Sequence, residues 1–146
     1  MPITGEYEPS TSSWVADQVA EYESSGGERG NTLRDTGMPI VIVTMIGAKS
    51  GKVRKIGLMR VEHDGEYALV ASKGGHPEHP GWYLNLVADP RVMIQDGPEA
   101  LDYVARELTG DERQTWWDRS VAAFPDYAEY QTRTERLIPV LLASSA

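Results

Sequence analysis

The chain has 146 residues, a formal net charge of −8 and no cysteine. This length suits a single domain with its own core, and the missing cysteines exclude disulfides, thiolate catalysis and zinc–cysteine centres. The acidic balance argues against nucleic-acid binding, and neither a secretory leader nor an apolar run of membrane length is visible, so we expect a soluble, cytoplasmic protein.

The N-terminal part of the chain predicts a loose arm followed by one helix. Residues 1–10 are polar, and apolar side chains then recur at helical spacing from Ser13 to a glycine pair. We therefore divide the chain into an arm with a helix, 1–30, and a main domain, 31–146. The helix carries Trp14 together with several acids, so association with a membrane through it is left open but disfavoured.

The remaining sequence predicts a mainly β (α+β) domain with six largely antiparallel strands. Runs rich in β-branched residues are separated by short turns, and Asp64-Gly65 is a strong hairpin signal. The six strands are expected within 39–47, 53–63, 66–73, 91–97, 99–109 and 137–143. Because the strands follow one another through short turns, a small antiparallel barrel with peripheral helices fits better than a parallel sheet.

Two further helical regions are predicted between these strands. Pro80 to Asp89 reads as a short helix with Pro80 at its first helical position. Thr109 and Glu112 have the spacing of a capping box that opens a longer helix, and Pro125 breaks that helix. One or two more helical turns are expected after the break.

Basic residues are concentrated in one segment of this acidic chain. Between positions 49 and 60 there are five basic side chains and no acidic one: Lys49, Lys52, Arg54, Lys55 and Arg60. Such a segment is typical either of an anion-binding surface or of a solvated hairpin end protected by lysines. The sequence pattern alone leaves both readings open.

Two glycine-containing loops could hold an anion. The stretch GAKSGK resembles a nucleoside-triphosphate P-loop, but its glycines are one residue too close together and a strand follows it. Gly74 and Gly75 follow Lys73 and precede the Pro80 helix, whose free N–H groups favour a negative ligand. The alternative is a glycine-rich connection that binds nothing.

His76 and His79 have the spacing of a metal-binding pair, but the context disfavours a metal. Pro77 and Pro80 follow the two histidines and oppose the regular helix that fixes such ligands. Glu78 is the only carboxylate nearby in the sequence. We therefore expect no metal.

Four stretches resemble the deazaflavin-dependent nitroreductase family: GAKSGKVRK, HDGEYALVASKGG, HPGWYLNLVADPRV and ARELTGDERQTWWDRSVAAFPDYAEYQTRTERLIPV. The similarity extends from about Leu33 to Leu142. It implies an actinobacterial protein with a split β-barrel of the flavin-mononucleotide-binding type. It also implies binding of coenzyme F420, an 8-hydroxy-5-deazaflavin, and hydride transfer from its reduced form to quinones, nitro compounds or similar electrophilic acceptors.

The resemblance implies a cofactor site on the two loops. Coenzyme F420 carries a phosphodiester and a glutamate tail, so the basic segment is expected to face that anionic end. The loop at 72–75 would run along the ring and the linker of the cofactor, and Pro77, Trp82 and Asn85 would shape that wall. The expected binding residues are Lys49, Arg54, Lys55, Ser72, Lys73, Gly74, Gly75, Pro77, Trp82 and Asn85.

Tyr127 and Tyr130 are three residues apart, so on a helical turn they would share a face. The resemblance implies that this face forms the substrate wall and that Tyr130 or Tyr127 donates a hydrogen bond to the acceptor. Ser72 is a further catalytic candidate. The alternative for both tyrosines is packing on the barrel.

Two other functions stay open at this point. One is an enzyme of the same fold that uses flavin mononucleotide, although a glutamate tail explains five basic residues better than one phosphate does. The other is a carrier that binds the deazaflavin without catalysing a reaction.

Overall fold

The computed structural model describes residues 3–32, 37–75 and 77–146. Its helices are α1 Ser13–Ser25, α2 Gly81–Ala88, α3 Gly110–Ala123 and α4 Asp126–Thr132. Its strands are β1 Ile40–Ile46, β2 Val53–Met59, β3 Glu62–His63, β4 Glu66–Val70, β5 Arg91–Gln95, β6 Ala100–Glu107 and β7 Val140–Ser145.

The strands form one antiparallel sheet in the order β2-β1-β5-β6-β7-β4-β3. Met59 ends β2 and Glu62 begins β3, so two strands that adjoin in sequence lie at opposite ends of this order. Because only two residues join them, the sheet must curl until its edges approach each other. The predicted antiparallel barrel with peripheral helices is therefore confirmed, with seven strands instead of six.

The additional strand arises where the predicted strand 53–63 is divided. β2 pairs with β1, whereas β3 pairs with β4 at the other edge. Arg60 and Val61 make the crossing: the Arg60 N–H donates to the Pro39 carbonyl, and the Val61 carbonyl accepts from Ala68. The change of partner, which no local pattern encodes, interrupts the strand.

β1 is buried on both faces, which explains its uninterrupted apolar sequence. Val41, Val43 and Met45 belong to the cluster inside the curled sheet, together with side chains of α2. Ile40 and Ile42 belong to a second cluster that includes Val19 and Tyr22 of α1. Helix α1 therefore packs on the outside of the barrel.

Two predicted helix starts need small corrections. Pro80 is the N-cap of α2, so the first helical residue is Gly81. Thr109 is the N-cap of α3 as predicted, but its side chain makes no capping hydrogen bond. Glu112 instead accepts two hydrogen bonds from Arg106, at 2.8 and 2.6 Å, so a partner on β6 replaces the reciprocal bond of the capping box.

Candidate functional site

A cavity of about 530 Å³ opens beside β2, within the size range of small-molecule sites. Its walls come from β1 and the loop after it, from β2, from α1 and α2, and from the N-terminal arm. The lining residues are Glu8, Ser10, Val15, Met45, Gly47, Ala48, Lys49, Ser50, Arg54, Lys55, Ile56, Gly81, Trp82, Leu84 and Asn85. Five predicted binding residues are among them: Lys49, Arg54, Lys55, Trp82 and Asn85.

The loop between β1 and β2 is a tight turn that is tied to α2. The Gly47 N–H donates to the Lys52 carbonyl at 2.8 Å, and the Ala48 N–H donates to the Asn85 side-chain oxygen at 2.9 Å. A Cβ on Gly47 would lie 2.9 Å from the Ser50 hydroxyl oxygen, so a larger residue there would displace the Ser50 side chain. These contacts fix the backbone that carries Lys49 at the cavity wall.

Four cations of the basic segment are already paired with carboxylates, and three of these pairs are made with the arm or with α1. Lys52 is 3.4 Å from Glu6, and Arg54 is 3.1 Å from Glu8. Lys55 is 2.6 Å from a carboxylate oxygen of Glu23 on α1. The segment is thus not the uncompensated positive surface that its sequence suggests.

The other two cations of the segment behave differently. Arg60 lies beyond the far end of β2, where its guanidinium is 2.8 Å from Asp96, and it does not line the cavity. Lys49 is exposed at the cavity wall and forms no ion pair with the residues that the structure describes. Lys49 is therefore a cavity cation that can bind an external anion without first breaking an ion pair with the described residues.

The second predicted loop packs against α4. Lys73 and Gly75 both have positive φ, 46° and 80°, within a single 3₁₀ turn, and the Gly75 N–H donates to the Ser72 carbonyl at 3.0 Å. A Cβ on Gly75 would lie 2.6 Å from the Tyr130 carbonyl oxygen. The turn is therefore in close contact with the backbone of α4, and Ser72, Gly75 and Tyr130 are neighbours.

The predicted binding residues accordingly fall into two groups. The five cavity residues form one group. The other group, Ser72, Lys73, Gly74, Gly75 and Pro77, lies outside the described lining of the cavity and leads into α2. Lys73 is exposed, with its ammonium 4.0 Å from Glu78.

Arg136 is a residue of this region that the sequence did not reveal. Its guanidinium donates to the carbonyls of Ala71 at 3.1 Å and Ser72 at 2.8 Å, and it lies 3.3 Å from Nδ1 of His79. Burial lowers the pKa of Arg136. It lies between α4 and β7, with no pattern around it that would have marked it as a partner of a loop so distant in sequence.

The two tyrosines of α4 are ring neighbours in different environments. Their ring centroids are 6.3 Å apart, so the predicted shared face exists. Tyr127 is 5% exposed and packs edge-on against Phe124 in the cluster beneath α1, and burial raises its pKa. Tyr130 is only half-buried, and burial raises its pKa as well. Of the two, Tyr130 is the more accessible to a ligand.

The model of the F420H(2)-dependent quinone reductase family matches residues 14–145. The chain belongs to this family. An F420H(2)-dependent quinone reductase of Mycobacterium tuberculosis strain H37Rv is 33% identical over 126 residues, which cover 84% of each chain. Family membership confirms the predicted dependence on coenzyme F420 and the predicted class, an oxidoreductase.

Two solved structures are similar to this quinone reductase family member. An F420-H2 dependent reductase, FDR-A, is 59% identical, with a TM-score of 0.69, over 73% of this chain and 94% of its own. A protein described as a domain-swapped dimer is 50% identical, with a TM-score of 0.73, over 92% of this chain and 100% of its own. The split-barrel fold expected for the family is thereby confirmed.

Within the described parts of this reductase, no three His, Asp or Glu side chains are grouped so that they could hold a metal ion. His79 stacks at 4.6 Å on the ring of Tyr83 and contacts Arg136. His76, the other histidine of the predicted pair, lies outside the described residues.

Proposed function

We propose that this F420H(2)-dependent quinone reductase holds the anionic end of its cofactor in the cavity beside β2. In this proposal the deazaflavin ring lies toward the turn at 72–75 and α4. The observation that carries the proposal is the composition of one cavity: Lys49, Arg54 and Lys55 line it together with apolar side chains.

The cavity residues fit such a cofactor. Ammonium and guanidinium groups are the partners that phosphates and carboxylates prefer, and each charged hydrogen bond contributes about 1.5–3 kcal/mol, less where solvent reaches it. Met45, Ile56 and Trp82 supply the apolar surface that a flat linker or ring needs. The Glu8 carboxylate also lines the cavity and opposes an anion there.

Bound F420H2 would supply the hydride, so the protein needs no nucleophile of its own. The work of the protein is to hold the acceptor close to the cofactor and to keep its orientation. Tyr130 is proposed to lie along a flat acceptor and to donate its phenolic hydrogen to an acceptor oxygen that gains charge. The Tyr130 hydroxyl keeps its proton at neutral pH, because the ordinary phenol pKa of 10.0 already lies well above 7 and burial raises the pKa of Tyr130 further.

Ser72 is proposed to act on the cofactor side of the same junction. Its side chain is buried next to the turn that packs against Tyr130, and its carbonyl is held by Gly75 and Arg136. A hydroxyl in a fixed position can stabilise one orientation of a ring or of the charge that develops on it. Tyr127 would support this wall from the core. A quinone is the proposed acceptor, and nitro compounds are further candidates because they too are flat and electrophilic.

We propose that the protein neither spans a membrane nor binds nucleic acid when it acts. In the described ranges, no helix is both long enough and apolar enough to cross a membrane. Trp14 of α1 is 44% exposed, but α1 also carries Asp17, Glu21 and Glu23, and these acids disfavour an anionic bilayer.

Titration with oxidised F420 and with flavin mononucleotide, each followed by fluorescence, tests the cofactor site. We expect F420 to bind more tightly than flavin mononucleotide, because its several anionic groups can pair with several cations of the cavity. Turnover of menadione with F420H2 then separates a reductase from a carrier. Equal affinity for the two cofactors would contradict the proposed site, and tight F420 binding without turnover would favour the carrier.

A further inference from the structure

The N-terminal arm lies along the free edge of β2. The Val53 N–H donates to the Glu6 carbonyl and the Glu8 N–H donates to the Val53 carbonyl, both at 2.8 Å. Tyr7 and Val53 thereby form an isolated parallel bridge. The arm therefore adds one short segment of extended backbone beside the basic strand.

The carboxylates of this arm match the spacing of the cations. Glu6 and Glu8 are two residues apart and flank Tyr7, which bridges to Val53, and Lys52 and Arg54 flank Val53 in the same way. The resulting ion pairs are Glu6–Lys52 at 3.4 Å and Glu8–Arg54 at 3.1 Å. The arm thus presents two negative groups in register with two positive ones.

A third carboxylate comes from α1. Glu23 binds Lys55 at 2.6 Å, and the Lys55 ammonium also lies 4.9 Å from the centre of the Tyr7 ring. Arg54 and Lys55 line the cavity in which the cofactor is proposed to lie, and so does Glu8. The arm therefore pairs with Arg54, a cation that the cofactor is proposed to use, whereas the Glu6–Lys52 pair lies outside the cavity lining.

These contacts are of a kind that a ligand can replace. The side chains of Glu6 and Lys52 are 74% and 45% exposed, and those of Glu8 and Arg54 are 40% and 35% exposed. Ion pairs that solvent reaches are individually weak. Two backbone hydrogen bonds, these ion pairs and the contact of the Tyr7 ring with Lys55 hold the Glu6–Glu8 segment. None of the ladder hydrogen bonds between β2 and β1 involves the arm, so the segment can leave β2 while that pairing stays intact.

We propose that the Glu6–Glu8 segment is a built-in competitor for the anionic end of the cofactor, and that it leaves the β2 edge when the cofactor binds. This inference rests on the proposed function. It also gives the arm a role in specificity: a ligand with one phosphate can replace one carboxylate, whereas a ligand with several anions can replace all of them. The arm thereby favours a polyanionic cofactor.

The double variant Glu6→Gln/Glu8→Gln tests the competition. Removing both carboxylates leaves the backbone contacts in place but frees two cations, so F420 should bind about three- to tenfold more tightly. The salt dependence of binding should also become steeper, because ion pairs are then formed rather than exchanged. Glu21→Gln/Glu28→Gln is the control: it changes the net charge equally, but Glu21 pairs with Arg29 and neither residue lines the cavity.

Hydrogen exchange of the Val53 amide, followed by NMR, tests the displacement directly. The Val53 N–H is bonded to Glu6 in the arm, so its exchange should accelerate when F420 saturates the protein. The inference that the arm competes would be overturned if the double variant bound F420 no more tightly than the wild type, or if F420 left the exchange of the Val53 amide unchanged. In either case, F420 binding by the wild type would still support the proposed function. If the wild type fails to bind F420, the proposed function itself is wrong and the competitor falls with it.

Discussion

The guanidinium of Arg136 binds the backbone carbonyl of Ser72 at 2.8 Å, across 64 residues of chain. The same side chain binds the Ala71 carbonyl at 3.1 Å. One planar cation thus fixes two consecutive peptide groups at the point where β4 gives way to the proposed ring-binding turn. Arg136 is in this sense a positioning residue for the site.

We expect Arg136→Lys to reduce kcat/KM with a quinone by about tenfold, because a lysine cannot hold both carbonyls with fixed geometry. Stability should fall by about 1–3 kcal/mol, the scale of hydrogen bonds to a charged group. Arg119→Lys is the control, since Arg119 lies over the ring of Trp116, away from the turn. Normal kinetics in Arg136→Lys would show that the turn keeps its shape unaided.

The contact between Gly75 and Tyr130 gives a second prediction. Gly75→Ala places a Cβ 2.6 Å from the Tyr130 carbonyl oxygen, in addition to the cost of a positive φ, so the turn must move away from α4. Gly65→Ala is a matched control, since φ there is 81° and no atom lies within 4 Å of the added Cβ. Urea denaturation and F420 titration should show Gly75→Ala to be less stable than Gly65→Ala by about 1–3 kcal/mol and weaker in binding. Equal losses in the two variants would mean that the packing on α4 is loose.

The barrel and its helices could be predicted from the sequence because their signals are local. β1 is a continuous β-branched run, and Asp64 and Gly65 both have positive φ, as their hairpin requires. The helix break at Pro125 is likewise a local signal, because it depends on that one residue. Each of these elements depends on residues within a few positions of one another.

The features that the sequence missed depend on distant partners. Arg136 meets Ser72, and Glu8 meets Arg54 across 46 residues, so neither contact leaves a local pattern. For the same reason the basic segment looked unpaired, because its carboxylates come from the arm and from α1. Glu112 bonds Arg106, which is only six residues away, but this contact depends on how β6 meets α3 and not on the capping pattern.

Lys49 provides the clearest test of the anion site. Because Lys49 forms no ion pair with the described residues, Lys49→Ala should weaken F420 binding by about 1–3 kcal/mol without a compensating release of a protein carboxylate. The melting temperature should stay near that of the wild type, since the side chain is exposed. Arg29→Ala, which removes a cation paired with Glu21 outside the cavity, should bind F420 normally. Unchanged affinity in Lys49→Ala would leave this end of the cavity without a role in binding.

Alkaline unfolding tests the burial of Tyr127. Burial raises the pKa of Tyr127 above its ordinary value of 10.0, so the folded chain retains a proton that the unfolded chain loses. The contribution of Tyr127 to the free energy of unfolding is therefore fully present below pH 10, and it is lost as the pH rises above 10. Urea denaturation above pH 10 should show a shallower loss of stability in Tyr127→Phe than in the wild type, whereas a curve parallel to the wild type would mean that the phenol ionises freely in the folded state.

Tyr130 is the residue on which the proposed acceptor wall depends. It is half-buried beside the turn at 72–75, and like any tyrosine it carries its phenolic proton at neutral pH, since burial raises its pKa above the ordinary 10.0. Tyr130→Phe keeps the ring but removes the donor, so turnover of menadione should fall by about tenfold or more, while F420 affinity and melting temperature remain near wild type.

Tyr127→Phe is the control for Tyr130→Phe, because it removes a hydroxyl from the neighbouring tyrosine of the same helix. Tyr127 lies in the core cluster with Phe124, and its ring should keep packing without the hydroxyl. We therefore expect Tyr127→Phe to turn over menadione at close to the wild-type rate. If Tyr130→Phe also turned over normally, or lost stability together with activity, Tyr130 would be a packing residue. The acceptor would then receive its hydrogen bond from another group, and Ser72 would be the next hydroxyl to replace.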